Sequence, residues 1–289
     1  MIKSRVAERE RAATVDRRPA AAIGRRARLE LAFEYRRGRT VLTRAYAEPP
    51  LRVGRCLEAG SSAVVILVCC GPGVFAGDEL SQRVRVGEGA HVRIVSQAAL
   101  QVHPRRGEEP ATLTSGYDVE ADGSLDCFWD PVIPFACARF SQRADIRVAP
   151  GGRLFWSDAL MAGRTGRGEA WQFAELGHEL RLRVNDAVAY LERYRLTPSS
   201  GGAITHPWMA GPSHYLGTTL AYGDRSTQAS AEDLHRQLAP LEGVTAGVDC
   251  SAPHVLAGRL LATRGPQFAA AREIIRHALG SPDPRRARF

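Results

Sequence analysis

The stretch 125–139 reads Leu-Asp-Cys-Phe-Trp-Asp-Pro-Val-Ile-Pro-Phe-Ala-Cys-Ala-Arg, and the fold prediction starts from it. Pro131 and Pro134 lack a backbone N–H and push the residue before them toward extended geometry, so the stretch does not continue as a helix. We therefore predict a strand at 125–129, a bend, and a second strand at 138–148. The bend is strongly apolar, and we expect it to pack in the protein's own core rather than against a partner. Its apolar side chains are those of Trp129, Val132, Ile133 and Phe135.

A weak repeat surrounds this stretch. Short alternating segments at 84–86, 117–119 and 146–148 each lead through a glycine-bearing turn to a second segment. The turn glycines recur about every thirty residues, at Gly89, Gly123 and Gly152. Since glycine accepts the positive φ of hairpin turns, each unit is interpreted as a hairpin. A lone hairpin cannot bury its apolar face, so the repeat predicts stacked or wound β layers resembling a β-solenoid.

The flanking sequence adds strands first and helices later. We predict a hairpin and an extended piece within 28–57, a buried strand at 63–70, and further strands at 170–173, 179–184, 188–196, 215–222 and 255–262. Ser230 is predicted to cap a helix at 231–241. A second helix is expected from Pro266 to Gly280. The fold class is therefore mainly β (α+β).

The same pattern predicts the domain organisation. A disordered Arg-rich arm (1–27) precedes a β-rich body (28–200), and a C-terminal strand–helix portion (201–280) packs on that body before a frayed tail (281–289). The 289 residues are 44% apolar, which supports a sizeable core.

The basic charge does not by itself indicate a nucleic-acid partner. The net charge is +8, but Lys3 is the only lysine, and arginine is abundant throughout the chain. We interpret this excess as compositional bias and predict no nucleic acid as a partner. The remaining alternative, an arginine-rich binder, predicts salt-sensitive binding that requires the arm.

Cysteine usage and hydropathy bear on the compartment. The six cysteines include no Cys-x-x-Cys pair, so no zinc or redox framework is predicted and a reducing compartment is the simpler inference. The apolar run at 64–70 is far shorter than the ~20 residues that span a bilayer, and no signal-peptide stretch is present. We expect a cytoplasmic protein with no membrane partner.

Two glycine-bearing turns carry charged residues. Gly71-x-Gly73-x-x-x-Gly77-Asp78 lacks the features of a P-loop or dinucleotide fingerprint, so we interpret it as a bend that Asp78 stabilises by hydrogen bonds. The second turn runs from Gly163-Arg164 through Gly168 to Glu169, and we expect Glu169 to pair with Arg164 or Arg167. The eight histidines show no spacing that predicts a tight metal site.

Four carboxylates lie beside turns or strand ends, and they leave several functions open. They are Asp78, Asp130, Asp158 and Glu169. Two of them could act as general acid and base, as in a β-solenoid carbohydrate-active enzyme. Acidic side chains along a passage could instead relay a divalent cation. A purely structural role at turns is the third possibility. The nucleophile-elbow and His-Glu-x-x-His signatures are absent.

Taken together, these stretches resemble the UreD (UreH) family of urease accessory proteins. The likeness covers roughly 28–280, in the order of the family. The residues that carry it are Pro49, Pro50, Gly71, Gly73, Gly77, Asp78, Pro131, Ile133, Pro134, Phe135, Gly163, Arg164, Gly168 and Glu169, with the strand–helix unit at about 253–280.

The resemblance implies a scaffold for urease maturation rather than an enzyme, with no catalytic residues and no cofactor of its own. Its implied partners are apo-urease, a UreF-like accessory protein and a UreG-like GTPase. Ni²⁺ would pass through the assembly in transit, without a tight site. On this basis we predict that Asp78, Asp130, Asp158 and Glu169 lie near an internal ion path.

Overall fold

The structure is a computed structural model that describes residues 25–104, 109–198 and 203–281. Most of the predicted arm (1–24) and of the predicted tail (282–289) lies outside these described residues, as does the predicted boundary near residue 200.

The described residues form mainly strands. In chain order these are β1 (Arg26–Arg36), β2 (Arg39–Ala47), β3 (Leu51–Ala59), β4 (Ser62–Cys69), β5 (Val74–Phe75), β6 (Glu79–Val86), β7 (His91–Gln97), β8 (Leu100–His103), β9 (Ala111–Val119), β10 (Ser124–Phe128), β11 (Val132–Pro134), β12 (Arg139–Val148), β13 (Arg153–Met161), β14 (Glu175–Val184), β15 (Ala187–Leu196), β16 (Tyr215–Tyr222), β17 (Val244–Ala252) and β18 (Val255–Ala262). The helices are α1 (Gln228–Leu238) and α2 (Gly265–Leu279).

The strands form two sheets that face each other across the main core. The first has the order β15-β14-β12-β9-β6-β1-β2, and the main path of the second is β17-β18-β16-β13-β10-β7-β4-β3. The short strands β5, β8 and β11 join the second sheet beside β13. The inward side chains of both sheets are largely Leu, Val, Ile and Phe, so alternate positions along each strand bury an apolar face. The mainly β fold with wound layers is confirmed.

The three predicted repeat units are successive coils of this stack. β6, β9 and β12 lie side by side and parallel in the first sheet, and β7, β10 and β13 do the same in the second. The interpretation of each unit as a hairpin is therefore wrong, because its two strands belong to different sheets. The glycine turn carries the chain around a corner between the sheets, and the backbone of each strand pairs with the next coil.

The corners stack as closely as the strands do. The Ser124 N–H donates to the Ala90 carbonyl at 2.8 Å, and the Arg153 N–H donates to the Gly123 carbonyl at 2.9 Å. A Cβ added at Gly123 would lie 3.2 Å from the backbone oxygen of Gly87, which leaves little room for a side chain. The glycine at this corner is thus required by the close approach of neighbouring coils.

The stretch from which the prediction started lies across this stack. Its first strand is β10, its bend contains β11, and its second strand is β12. Its most buried apolar side chains include Leu125, Cys127, Val132 and Phe135, while Trp129 and Ile133 are half-buried. The expectation that the bend packs in the protein's own core is confirmed.

The first predicted hairpin is confirmed by the antiparallel pair β1–β2, and the strand at 63–70 by β4.

The prediction of a strand at 170–173 is wrong. This segment is an irregular connection in which Trp171 has a positive φ of 58°. Trp171 and Phe173 are both buried, so their alternation reflects inward packing of a loop and not a strand.

The C-terminal strands extend the second sheet. β16 pairs with β13, and β18 pairs with both β16 and β17, all antiparallel. Both helices pack with these strands around a second apolar cluster that includes Phe155, Leu256 and Ile275. α1 begins three residues earlier than predicted, because Thr227 and not Ser230 is its cap: the Thr227 hydroxyl accepts the Ser230 N–H at 3.2 Å.

Candidate functional site

The space between the sheets contains a cavity of about 110 Å³, which we call the central cavity. Its walls include residues of β1, β6, β9, β12 and β14 on one side and of β4, β7 and β13 on the other, so it crosses successive coils. The walls are mostly apolar. The polar side chains along them include Gln82, Ser96, Ser115, Asp130, Gln142, Asp158 and His178.

A second space of about 380 Å³, the end groove, continues beyond the central cavity. Asp158 and Gln142 line both spaces, so the two meet at these side chains. Strands β15, β16 and β18 and the segment 204–210 form the rest of the groove. Trp208 stands at the groove with 72% of its surface exposed.

Asp130 and Asp158 are the two predicted carboxylates that the structure brings into this space. Asp158 is on β13 and is buried, and the Trp156 indole N–H donates to its Oδ2 at 3.0 Å. Asp130 directly follows β10 and Trp129, and its own N–H donates to the Ser96 hydroxyl at 2.7 Å. Both carboxylates line the central cavity.

His178 faces Asp158 across the junction of the two spaces. It is an inward residue of β14, its Nδ1 lies 2.7 Å from the Gln142 amide nitrogen, and its ring stacks on Tyr194 at 4.8 Å. Its Nε2 is 3.9 Å from Asp158 Oδ2 and 4.0 Å from Glu192 Oε2. Burial lowers the pKa of His178, so its neutral form is favoured.

Glu192 is a buried carboxylate that the sequence analysis did not select. It is on β15, and its Oε1 is 2.6 Å from the guanidinium of Arg259 on β18. Burial raises the pKa of Glu192 to about 7 in spite of this ion pair. The desolvation of the carboxylate thus outweighs the attraction of a single arginine whose side chain is itself half in solvent.

A buried arginine on α2 forms hydrogen bonds with the residues next to Asp130 and Asp158. Arg272 is only 4% exposed and donates to the Ser157 hydroxyl and carbonyl and to the Trp129 carbonyl, at 3.0, 3.1 and 2.7 Å. Its guanidinium carbon lies 4.0 Å from the ring centre of Phe128. Burial lowers the pKa of Arg272 to about 10. These bonds attach α2 to the residues that immediately precede Asp130 and Asp158.

Asp78 lines neither the central cavity nor the end groove, and it stabilises the backbone around the bend at 71–78. Its two carboxylate oxygens accept the N–H groups of Arg25 and Phe75, both at 2.9 Å. Gly71, Gly73 and Gly77 all have positive φ. The stretch 71–78 is therefore the hydrogen-bonded bend that the sequence predicts.

Glu169 forms an ion pair with Arg164, as predicted. The Arg164 Nε donates to Glu169 Oε2 at 2.7 Å, and the Ala136 N–H approaches the same oxygen at 3.4 Å. The hydrogen bond from Arg164 is the main cause that lowers the pKa of Glu169. Asp78 and Glu169 are not among the residues that line the central cavity or the end groove in the described chain.

The glycine-rich and proline-rich motifs converge on one side of the second sheet. β5 pairs with β8, β8 with β11, and β11 with β13, so the bend at 71–78 and the stretch 131–135 lie close together. A Cβ at Gly163 would lie 3.1 Å from the Pro134 carbonyl oxygen, which shows how closely the third motif packs on the second. Phe135 lies between the His103 ring at 4.5 Å and the Arg164 guanidinium at 4.0 Å.

The described residues hold no group of three or more His, Cys, Asp or Glu arranged to hold a metal ion. All six cysteines are free. Among the described residues, neither helix has the length and apolar character needed to cross a bilayer.

The comparisons with known proteins assign the family. The family model of the UreD urease accessory protein matches residues 25–288. The chain belongs to the UreD family. As a UreD protein it has an accessory role in urease maturation.

Several curated UreD proteins are similar to this one. The urease accessory protein UreD 2 of Streptomyces griseus is 31% identical over 269 residues, which cover 89% of this chain and 91% of that protein. UreD of Anaeromyxobacter sp. is 31% identical over 242 residues, covering 84% and 80%. UreD of Sorangium cellulosum is 34% identical over 201 residues, covering 70% of this chain and 63% of its own length.

The sequence analysis of this UreD protein missed His178, Glu192 and Arg272. His178 stands at an inward position of an alternating strand, which is the one signal that could have identified it. Glu192 lies on an edge strand with little apolar periodicity, and Arg272 interrupts an apolar helix face. Neither pattern distinguishes a functional side chain from an ordinary surface residue before the packing is known.

Proposed function

We propose that this protein is a scaffold for urease maturation that has no catalytic site of its own and works in the cytoplasm. In this proposal it binds apo-urease and a UreF-like accessory protein, and the latter recruits a UreG-like GTPase. It assists the delivery of Ni²⁺ to the urease active site, and Ni²⁺ is cargo rather than a resident cofactor. Membership in the UreD family supports the accessory role.

The observation that carries the transfer role is the pair of adjoining spaces with carboxylates on their walls. Asp130 lies in the central cavity, Asp158 where the two spaces meet, and Glu192 in the end groove. Carboxylate oxygens bind divalent cations, and a series of them offers successive resting points for an ion between apolar walls. The path thus follows the stack between the sheets.

The proposed path keeps two of the four predicted carboxylates. Asp78 and Glu169 are already engaged by backbone N–H groups and by Arg164, so their role in this proposal is structural. Asp130 and Asp158 remain as path residues. A cargo ion must also leave, and the lack of a preassembled metal site in the described residues suits transient binding.

The experiment compares Asp130→Asn and Asp158→Asn with Asp118→Asn. Asp118 is a matched control because it lies on β9 without lining the central cavity or the end groove, is partly exposed and pairs with Arg147 at 3.5 Å. Each variant is used as the full chain to activate apo-urease with the accessory proteins of the same source. Urease activity and the nickel content of the urease are measured, and a pull-down checks that the variant still joins the complex.

We expect the two path variants to lower activity and nickel content together while they still bind their partners, and the control to behave as wild type. Full nickel loading of urease with both path variants would refute the path. Failure of the wild-type chain to associate with apo-urease or an accessory partner would refute the scaffold itself.

A further inference from the structure

The outward side of the first sheet carries a compact cluster of arginines on β12, β14 and β15. Inward and outward side chains alternate along these strands, so residues in register on neighbouring strands share one side of the sheet. Both helices pack on strands of the second sheet instead. The cluster, which we call the arginine face, consists of Arg139, Arg143, Glu175, Glu179, Arg193 and Arg195.

The two carboxylates of the arginine face lie beneath its arginines. The Glu179 side chain is only 13% exposed, and its oxygens accept hydrogen bonds from Arg143 and Arg193 at 2.7 and 2.8 Å. Glu175 is also partly covered and lies 3.0 Å from Arg139. The acidic groups are therefore already engaged, and a molecule that approaches this face meets mainly guanidinium groups.

The outer ends of two arginines are available for binding. The Arg193 side chain is 62% exposed and donates only through Nε, to Glu179. The Arg195 side chain is 73% exposed, and its Nε lies 3.3 Å from Glu175. Among the described residues, the terminal nitrogens of both groups have no acceptor. Side chains two residues apart on a strand lie about 7 Å apart on the same side, so these two guanidinium groups can bind neighbouring acidic groups.

An exposed apolar side chain borders the arginine face. Leu191 precedes Arg193 by two residues on β15, lies on the same side of the sheet and is 47% exposed. Protein–protein interfaces combine apolar contact with arginine in this way. The outward positions of β12, β14 and β15, all within the described residues, hold no aromatic side chain on which a nucleobase could stack. The chemistry thus favours a protein over a single-stranded nucleic acid.

The charge of the arginine face argues against the chain itself as its occupant. Residues 1–24 contain six basic and three acidic residues, and residues 282–289 contain three arginines and one aspartate. Both segments are net positive and would be repelled by the arginines. A second copy that docked through the same face would place these arginines against one another. The charge therefore requires an acidic partner.

We propose that the arginine face is the docking surface for an acidic protein partner, whose carboxylates bind Arg193 and Arg195 and whose apolar side chains cover Leu191. This inference rests on the proposed function, because it assigns to the scaffold a surface for one member of the maturation assembly. Bonds between guanidinium and carboxylate groups are charge-assisted, and the attraction of exposed charges weakens with salt. The arginine face lies on the outer side of the first sheet, so docking there leaves the space between the sheets open.

The test measures binding of the full-length chain to apo-urease, the UreF-like protein and the UreG-like GTPase of the same source. Each is used alone and with the other two present, by calorimetry at low, physiological and high NaCl concentration. The variants are Arg193→Gln/Arg195→Gln, which adds no new acid to the face, and Leu191→Ser. Arg52→Gln/Arg55→Gln is the matched control, since both arginines are exposed on β3 of the second sheet. Thermal unfolding checks that every variant is folded.

We expect the wild type to bind one of these partners with an affinity that falls as the NaCl concentration rises. Arg193→Gln/Arg195→Gln should bind that partner about tenfold more weakly and should lose most of the salt dependence, because two charge-assisted contacts are removed. Leu191→Ser should bind about threefold more weakly through the loss of apolar contact. The control should bind as the wild type does.

Failure of the docking surface is distinguishable from failure of the proposed function. An unchanged affinity of Arg193→Gln/Arg195→Gln for every partner that the wild type binds would overturn the docking surface and leave the scaffold intact. A change only in self-association, measured by light scattering, or only in binding to a single-stranded oligonucleotide would show that the occupant is wrong and would also overturn the proposal. A wild-type chain that binds none of the partners would refute the scaffold, and the docking surface with it.

Discussion

Replacement of Arg272 tests how α2 is attached to the stack. In Arg272→Ala, the Trp129 carbonyl and the Ser157 hydroxyl lose their donor. Each orphaned group costs about 1–3 kcal/mol, or about 4 kcal/mol for both. The lost packing of the side-chain stem on Phe128 and Phe268 adds about 2 kcal/mol.

An opposing term comes from the buried charge. Burial lowers the pKa of Arg272 to about 10, well below the ordinary value for arginine, which corresponds to about 3 kcal/mol of unfavourable charge burial that the variant relieves. The net destabilisation of Arg272→Ala is therefore about 3 kcal/mol. Arg272→Met keeps most of the packing, and its expected cost is only about 1 kcal/mol.

The assay is urea unfolding at neutral pH, followed by the fluorescence of the tryptophans and by circular dichroism. Arg236→Ala on α1 is the control, since this arginine is 69% exposed and pairs only with Asp233 in the described chain, so we expect a change within about 0.5 kcal/mol. Equal destabilisation by the Met and Ala replacements would refute the assignment of about 2 kcal/mol to packing. An Arg272→Ala variant with the same free energy of unfolding as the wild type would refute the stabilising role of the Arg272 hydrogen bonds.

Three further predictions concern single sites. The wild type should lose about 3 kcal/mol of unfolding free energy between about pH 4.5 and 7 because of Glu192, and Glu192→Gln should not show this loss. Denaturant titrations at several pH values measure the difference. Gly73→Ala should destabilise by about 2 kcal/mol, because Gly73 has φ +120° and its Cβ would meet the Gln101 carbonyl, whereas Gly166→Ala meets nothing and should unfold like the wild type. Asp78→Ala should cost about 2 kcal/mol by thermal or chemical unfolding, since two backbone N–H groups lose their acceptor; unchanged stability would contradict its structural role.

The sign of the Glu192 effect follows from its raised pKa. The folded state holds the proton up to about pH 7 and the unfolded state loses it near pH 4.5, so the contribution of Glu192 to stability is greatest below pH 4.5 and is lost as pH rises through 7. His178 acts in the opposite direction, because its lowered pKa makes its contribution to stability fall as pH decreases from the ordinary pKa of 6.5 to the lower pKa of the folded state. A Glu192→Gln profile parallel to that of the wild type would contradict the burial of the Glu192 charge.

Local sequence patterns predicted most of the elements. Strands such as β16 and β18 are predicted with their full bounds, because an alternating or continuous apolar run between turn residues favours a strand that ends at those turns. The segment 170–173 has the same alternation but is a loop. Alternating apolar residues indicate which side chains are buried, but they do not show whether the backbone pairs with another strand. The Thr227 cap was missed because Ser230 three residues later has the same capping chemistry.

The carboxylates show the same division. The pairing of Glu169 with Arg164 and the role of Asp78 in its bend were predictable, because both depend on neighbours a few residues away. The approach of His178 to Asp158 and Glu192 joins three strands of two sheets and has no local signature.

The order of apolar and turn residues by itself determined that this chain is a wound β protein, because strand length, turn glycines and inward side chains are all encoded within about thirty residues. The tertiary structure alone decided that the glycine turns are corners between two sheets, and which polar side chains meet in the space between them. The physical reason is that inter-strand hydrogen bonds and burial are set by the neighbouring coil, and the neighbour of a residue across the sheets is fixed only when the coils stack.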